Sequence, residues 1–294
     1  MAVTESQSSC PKLALIGFGE AGETFARAAG WNGHAKGWDL LPARRDLMRA
    51  CGVDVATDAA DALADAQCTL SLVTADAALQ AARDYAPLLG EGQFWLDMNS
   101  VAPQTKRAAA EAITAVGGRY VDVAVMAPVD KGLAVPLLVA GPEAEEAAAL
   151  LTAMAFTNVR VVGDEVGRAS AIKLCRSVMV KGLEALTAEM VLAASEAGVL
   201  DEVLASLDAS EKQQSWFERA DYNFDRMMIH GQRRAAEMAE ACAMLEDLGI
   251  APLMSEQTVV RQRQLGALEL APPPATLSAK LDAIRATPAD KGEN

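Results

Sequence analysis

Between Leu13 and Gly163, seven short apolar runs alternate with alanine-rich stretches of helical length, and this alternation restricts the possible folds more than any other feature. The runs are Leu13–Gly17, Ala35–Asp39, Cys68–Val73, Phe94–Met98, Tyr120–Val125, Pro136–Gly141 and Val159–Gly163. The segments between them, such as Ala77–Leu89, Pro103–Val116 and Glu143–Ala155, favour helix by composition. Strands and helices in alternation build a mostly parallel sheet, so this half is read as α/β. Past Gly167 the strand pattern stops. Helical stretches at Ala169–Ala197, Met227–Leu248 and Leu253–Leu268, with an interrupted region over Val199–Asp225, predict an all-α second half. Gly198 and the segment Gly249-Ile250-Ala251-Pro252 are the expected helix stops. The expected organisation is an α/β domain over 10–165, an all-helical domain over 166–270, and a loosely held tail over 271–294 that contains three consecutive prolines.

One segment of the α/β half carries chemistry. Gly17-Phe18-Gly19-Glu20-Ala21-Gly22 follows the first apolar run directly and opens the helical pattern Glu23–Ala29. The first glycine permits a tight turn, the second lets backbone N–H groups approach a pyrophosphate, and the third allows close packing of helix on strand. The helix N-terminus then offers its unpaired donors to phosphate charge. Asp39, about 20 residues on and at the end of the second run, is placed to accept from the adenosine ribose diol. A Rossmann-type doubly wound sheet binding a dinucleotide is therefore expected, followed by the all-α domain. A carboxylate at Asp39 repels a 2′-phosphate, which favours NAD over NADP, while Arg44 and Arg45 just beyond it blur that choice. Thr74, after the run Cys68–Val73, is assigned to the cofactor with the glycine turn.

Charge narrows the partners. With 26 Lys and Arg against 40 Asp and Glu, the formal charge is −14, so nucleic acid is not an expected partner. Five cysteines without a C-x-x-C pair and two histidines signal neither a disulfide framework nor a metal site. The first ten residues lack a basic region followed by an apolar stretch, and no window approaches 18 uninterrupted apolar residues. No membrane partner is expected, and a cytoplasmic location is.

Four motifs together resemble the β-hydroxyacid dehydrogenase family, the group related to 6-phosphogluconate dehydrogenase and 3-hydroxyisobutyrate dehydrogenase, and the likeness covers most of residues 12–265. The glycine turn is the first. Asp97-Met98-Asn99-Ser100-Val101-Ala102-Pro103 is similar to the family's D-x-S-T-x-x-P, with Asn99 and Ser100 in place of the Ser-Thr pair. The resemblance implies that Asn99 meets the cofactor and Ser100 the substrate. Asp122-Val123-Ala124-Val125-Met126-Ala127-Pro128 stands where the family has D-A-P-V-S-G-G, which holds a substrate carboxylate. Asp122 and Met126 are thus expected at the substrate, but the serine and both glycines are missing, pointing to a different anchoring group or a more apolar substrate.

The fourth motif, Gly167 to Ser177, looks like the family's G-x-G-x-x-x-K-x-x-x-N segment. The resemblance places the catalytic acid/base at Lys173, with Ser177 in the asparagine position as its catalytic partner. Arg176 and Lys181 are expected to add cationic contacts to the substrate. A family lysine from the helical domain corresponds to His230, read either as a substrate contact or as a core histidine. The implied function is hydride transfer between nicotinamide and the alcohol or carbonyl carbon of a small polar, hydroxy-acid-like substrate, with a homodimer or higher homo-oligomer expected. Two alternatives stay open: an imine reductase of the same architecture, against which Lys173 argues, and a non-catalytic NAD(H)-binding regulatory protein.

Overall fold

A computed structural model describes residues 10–210, 213–270 and 272–286. The chain divides into two compact units, one ending at Val178 and the other beginning at Met179.

In the first unit, eight strands form one sheet: β1 (Leu13–Ile16), β2 (Ala35–Trp38), β3 (Asp54–Val55), β4 (Cys68–Ser71), β5 (Phe94–Asp97), β6 (Arg119–Val125), β7 (Leu137–Ala140) and β8 (Val159–Gly163). Their order across the sheet is β3-β2-β1-β4-β5-β6-β7-β8, parallel throughout except for the β6–β7 pair. The seven apolar runs all appear as strands, and β3 is an addition of two residues. Helices α1 (Glu20–Ala29), α2 (Pro42–Ala50), α3 (Ala59–Leu63), α4 (Ala78–Tyr85), α5 (Pro103–Thr114) and α6 (Ala144–Ala153) connect them. Alternate residues of each strand enter opposite layers. Leu13, Leu15, Phe94 and Leu96 join Phe25, Trp31 and Phe156 on one side, while Ala14, Ile16 and Trp95 join Ile113 and Tyr120 on the other. Both faces are dry, which is why strands such as β1 and β5 read as unbroken apolar runs. Phe25 and Phe156 meet edge to face at 5.1 Å.

Helix α7 (Arg168–Glu196) leaves the sheet, and α8 (Leu200–Ser210), α9 (Trp216–Asp247), α10 (Leu253–Gly266) and α11 (Leu277–Ala286) follow. The second unit is entirely helical in its described residues. Helix α9 begins well before the expected Met227, inside the region read as interrupted. Its start is a capping box in which Ser215 Oγ accepts from the Glu218 N–H at 3.2 Å and the Glu218 carboxylate accepts from the Ser215 N–H at 3.0 Å. Helices α9 and α10 touch backbone to backbone: a Cβ added at Gly231 would lie 2.2 Å from the Gln262 carbonyl oxygen, and one at Gly266 would lie 2.6 Å from the Gln232 nitrogen. Glu189 of α7 caps α10, accepting from the N–H groups of Met254 (2.8 Å) and Ser255 (3.1 Å) and from Ser255 Oγ (2.6 Å). Burial alone would raise the Glu189 carboxyl, but these donors outweigh it and hold it below the usual range.

The ending corrects an expectation. Rather than being loosely held, the part of the tail that is described forms α11, and Lys280, only 1% exposed, donates to Asp221 at 2.6 Å and pairs with Asp225 at 2.8 Å. Residues 271 and 287–294 of that expected tail lie outside the described residues.

Candidate active site

The neighbouring parallel strands β2, β1, β4, β5 and β6 carry their loops at one edge, where such sheets bind ligands. β1 runs straight into the glycine turn. Gly17 has a φ of +85°, and a Cβ there would sit 2.8 Å from the Leu72 carbonyl oxygen, so the turn can approach the end of β4 only as glycine. Gly22 faces the Phe18 ring, where an added Cβ would be 3.0 Å away, which seats α1 tightly on the turn. At Gly19 an added Cβ would meet nothing within 4 Å. Gly19 also caps α1 without a side-chain hydrogen bond, leaving the first-turn N–H groups facing open space.

Asp39 closes the turn from β2. Its Oδ2 accepts from the Phe18 N–H at 2.7 Å and its Oδ1 from the Leu41 N–H at 2.8 Å. A cavity of about 570 Å³ opens here, lined by Gly17 to Ala21, by Asp39 and Thr74, and on its far side by Gln80 and Tyr85 of α4. Gly22 lies behind this lining. Arg44 lines the cavity too, whereas Arg45 is turned aside, donating to the Asp39 carbonyl oxygen at 2.7 Å and stacking on the Trp38 ring at 4.9 Å. The Thr74 hydroxyl bonds Asp76 and holds that carboxyl below its usual range. Open space at Gly19, uncapped N–H donors and a carboxylate at the end of β2 together fit a dinucleotide.

Further along the edge, Asn99 is buried. Its N–H and Nδ2 both donate to Asp97 Oδ1 (2.9 and 2.7 Å), and Nδ2 also donates to Ser71 Oγ at 2.9 Å. With the amide nitrogen so committed, Asn99 Oδ1 is a buried acceptor without a protein donor, a position suited to a ligand N–H or hydroxyl. Ser71 is followed directly by Leu72, Val73 and Thr74 of the cavity wall, so Asn99 lies beside that wall. Ser100 is exposed, and Lys173 of α7, half-buried, donates from Nζ to Ser100 Oγ at 2.5 Å. The structure thus joins Ser100 and Lys173 across 73 residues of sequence.

The third motif behaves differently from its resemblance. Asp122, expected at the substrate, is fully buried: Oδ2 accepts from the N–H groups of Gly167 (3.1 Å) and Ser170 (3.0 Å), and Oδ1 from Ser170 Oγ (2.6 Å). Its carboxylate caps α7, because the helix start needs acceptors and none of its own residues supplies one. Met126 packs with Ile172, Val162 and the Ala124–Leu138 cluster, and its N–H is spent on the Pro136 carbonyl oxygen at 2.9 Å. Arg176 is exposed and Ser177 half-buried on the same stretch of α7, while Lys181 and His230 belong to the second unit and are exposed. An exposed His230 is not a core histidine. Cys175 is also exposed, two positions past Lys173, whereas Cys51 and Cys68 are buried and burial pushes the Cys68 thiol up to about 12.

Three residues of the site were not foreseen. Lys106 of α5, wholly buried, donates to the Asp97 carbonyl oxygen at 2.6 Å and pairs with Asp97 Oδ1 at 3.0 Å and Asp122 Oδ1 at 3.4 Å. Tyr120 donates to Asp97 Oδ2 at 2.7 Å, and burial together with that carboxylate pushes its phenol well above the usual range, so it stays a donor. Ser170 completes the set. The signal that could have found them is an aspartate at the same level of two neighbouring strands, Asp97 opposite Asp122, which demands a nearby countercharge.

Comparison with known proteins agrees with this geometry. Residues 12–163 match the family model of the NAD binding domain of 6-phosphogluconate dehydrogenase, and residues 194–265 match a domain of unknown function, DUF1932. A conserved hypothetical protein from Sinorhizobium meliloti 1021 is 35% identical over 95% of this chain and 96% of its own, with a TM-score of 0.60. The conserved protein MTH1747 of unknown function, whose structure is described as similar to 3-hydroxyacid dehydrogenases, is 29% identical over 92% of this chain and 98% of its own, with a TM-score of 0.58. An imine reductase from Streptomyces aurantiacus shares the fold, with a TM-score of 0.70 at 17% identity over 92% of this chain and 98% of its own. Among the described residues no helix is long and apolar enough to cross a membrane. The chain belongs to the β-hydroxyacid dehydrogenase-like family, the NAD(P)-binding oxidoreductases built on the nucleotide domain of 6-phosphogluconate dehydrogenase.

Proposed function

We propose that this protein is a dehydrogenase or reductase that interconverts an alcohol and a carbonyl on a small polar substrate, with Lys173 as the acid/base. The observation that carries this reading is the Lys173–Ser100 hydrogen bond at the ligand-binding edge of the sheet. The bound dinucleotide supplies or takes up the hydride. In reduction, the Lys173 ammonium gives a proton to the carbonyl oxygen as hydride reaches the carbon, forming the alcohol; in oxidation, neutral Lys173 takes the hydroxyl proton as hydride leaves. Ser100 orients the amine, Asn99 Oδ1 would accept from the nicotinamide half of a bound cofactor, and Arg176 and Ser177 would add polar contacts to the substrate.

NAD is the proposed cofactor. The Asp39 carboxylate at the end of β2 would repel a 2′-phosphate, and Arg45 is engaged with Trp38 and backbone oxygens, which leaves Arg44 as the cavity cation that favours NADP. A second reading, reduction of a C=N bond, is favoured by Met126, whose apolar side chain and spent N–H give a substrate carboxylate no donor there. The test combines NADH and NADPH fluorescence titrations with a panel of hydroxy acids, alcohols, ketones and cyclic imines followed at the nicotinamide absorbance. Tighter NADH binding and turnover of alcohols or ketones are expected. Turnover of imines alone would favour the second reading, and binding without any turnover would leave a nucleotide-binding regulator.

The helical unit is further proposed to pair with a second copy. Leu183 and Leu192 of α7, Leu207 of α8, and Trp216 and Phe217 of α9 are all exposed, more apolar surface than a solitary helical unit keeps in water. Light scattering is expected to give about twice the 30.8 kDa chain mass or more, and a monomer at working concentration would overturn the proposal.

A further inference from the structure

Asp97 and Asp122 are register partners on the adjacent parallel strands β5 and β6, so two carboxylates lie side by side at the ligand edge of the sheet. Each organises one half of the Lys173–Ser100 pair. Asp97 Oδ1 accepts from the Asn99 N–H and Nδ2, fixing the β5–α5 loop one residue before Ser100. Asp122 accepts from the Gly167 and Ser170 N–H groups and from Ser170 Oγ, fixing the first turn of α7 three residues before Lys173. Between the carboxylates sits one ammonium, Lys106 Nζ, 0% exposed, which donates to the Asp97 carbonyl oxygen at 2.6 Å and forms ion pairs with Asp97 Oδ1 at 3.0 Å and Asp122 Oδ1 at 3.4 Å.

We propose that Lys106 is a positioning residue: by clamping Asp97 to Asp122 it sets the distance between the serine loop and the start of α7, and so holds Lys173 Nζ against Ser100 Oγ. The proposal rests on the acid/base reading of Lys173. Without Lys106, two like charges on neighbouring strands would face each other with no cation between them, and the elements carrying them would part or rotate. The serine loop and the first turn of α7 move with those carboxylates because their own backbone N–H groups are bonded to them. Tyr120, donating to Asp97 Oδ2, fixes the rotation of that carboxylate, whereas Lys106 touches both carboxylates, so the coupling runs through Lys106. Misplacement of a reacting group by about 1 Å costs on the order of a hundredfold in rate, so a clamp of this kind acts on turnover more than on binding.

The test uses the full-length chain in three variants. Lys106→Met removes the clamp. Lys106→Met with Asp97→Asn removes it together with the repulsion between the two carboxylates, leaving Asp122 to its Gly167 and Ser170 donors. Ser170→Ala deletes only one bond to Asp122 and is expected to fold whatever the others do. The first readout needs no substrate: acetylation of Lys173 by acetic anhydride, measured by peptide mass spectrometry against exposed Lys12 in the same chain. Labelling of Lys173 relative to Lys12 is expected to rise at least about threefold in each folded variant as Nζ leaves Ser100. The second readout is kinetic, with the best substrate of the panel. A fall in kcat of about tenfold or more is expected for the clamp variants, and about fivefold for Ser170→Ala, with KM and NADH affinity little changed. A folded variant with unchanged Lys173 labelling would overturn the proposal. Unchanged kcat in the clamp variants would also overturn it, provided that Lys173→Ala has lost activity. If Lys173→Ala keeps full activity while the labelling rises, the acid/base reading fails and the clamp stands.

Discussion

Lys173→Ala is expected to lose turnover by a factor on the order of 10²–10⁴ while NADH affinity stays within about twofold. The two parts of that outcome come from different places in the molecule. The glycine turn, Asp39, Thr74 and the α4 wall line the nucleotide cavity, and Lys173 is not among the lining residues. Its bond runs instead to Ser100, beyond Asn99 along the strand ends. Alanine removes the ammonium that donates to Ser100, and the serine left behind cannot replace it, since its hydroxyl does not ionise at neutral pH. Initial rates at the nicotinamide absorbance, set beside a fluorescence titration, check both halves. A variant that turns over within threefold of the parent would remove Lys173 from the mechanism, and one that no longer binds NADH would place it at the cofactor.

Gly231→Ala is expected to destabilise the helical unit by about 2–3 kcal/mol, although alanine is the better helix former. In an exposed helix interior the exchange would gain roughly 1 kcal/mol. Here the new methyl would lie 2.2 Å from the Gln262 carbonyl oxygen, 2.7 Å from the Gly266 nitrogen and 2.8 Å from the Gly266 Cα. These are backbone atoms, so no side chain can swing away and the helices themselves must separate. Overpacking that shifts backbone typically costs about 1–3 kcal/mol and occasionally more; three backbone contacts below 3 Å put this site at the upper end, which exceeds the propensity gain and decides the sign. A urea or thermal melt measures it. A midpoint equal to or above that of the parent would mean that α9 and α10 part freely, and that the glycine pair does not set their spacing. Gly266→Ala is expected to behave alike, because its methyl would meet the Gln232 nitrogen at 2.6 Å.

What could be read in advance follows from the range of the forces involved. The glycine turn was legible because each glycine answers to a local backbone demand, and the apolar runs were legible because strands covered on both faces contain little else. Two-residue β3 has no period to read. The early start of α9 had a local signature, Ser215 with Glu218 three residues on, that outranked the irregular hydrophobicity behind it. Asp122 was misplaced because its partners, Gly167 and Ser170, lie 45 and 48 residues away, and motif resemblance fixes a position without fixing what it touches. Lys106 looked like any lysine of an alanine-rich helix. Its role depends on two aspartates meeting across a strand pair, which is a property of the sheet rather than of any segment. Lys280 escaped notice for the same reason: the prolines before it suggested a loose end, and the aspartates that hold it sit on α9.

The distribution of thiols also has a practical use. Cys51 and Cys68 are shut inside the first unit, and at ordinary pH the Cys68 sulfur stays protonated and unreactive. Cys175 stands in the open one residue short of Arg176. Cys10 and Cys242 are half-buried, so with those two replaced by serine a maleimide fluorophore is directed to Cys175, a reporter half a helical turn from the proposed proton donor and able to signal ligand arrival in real time.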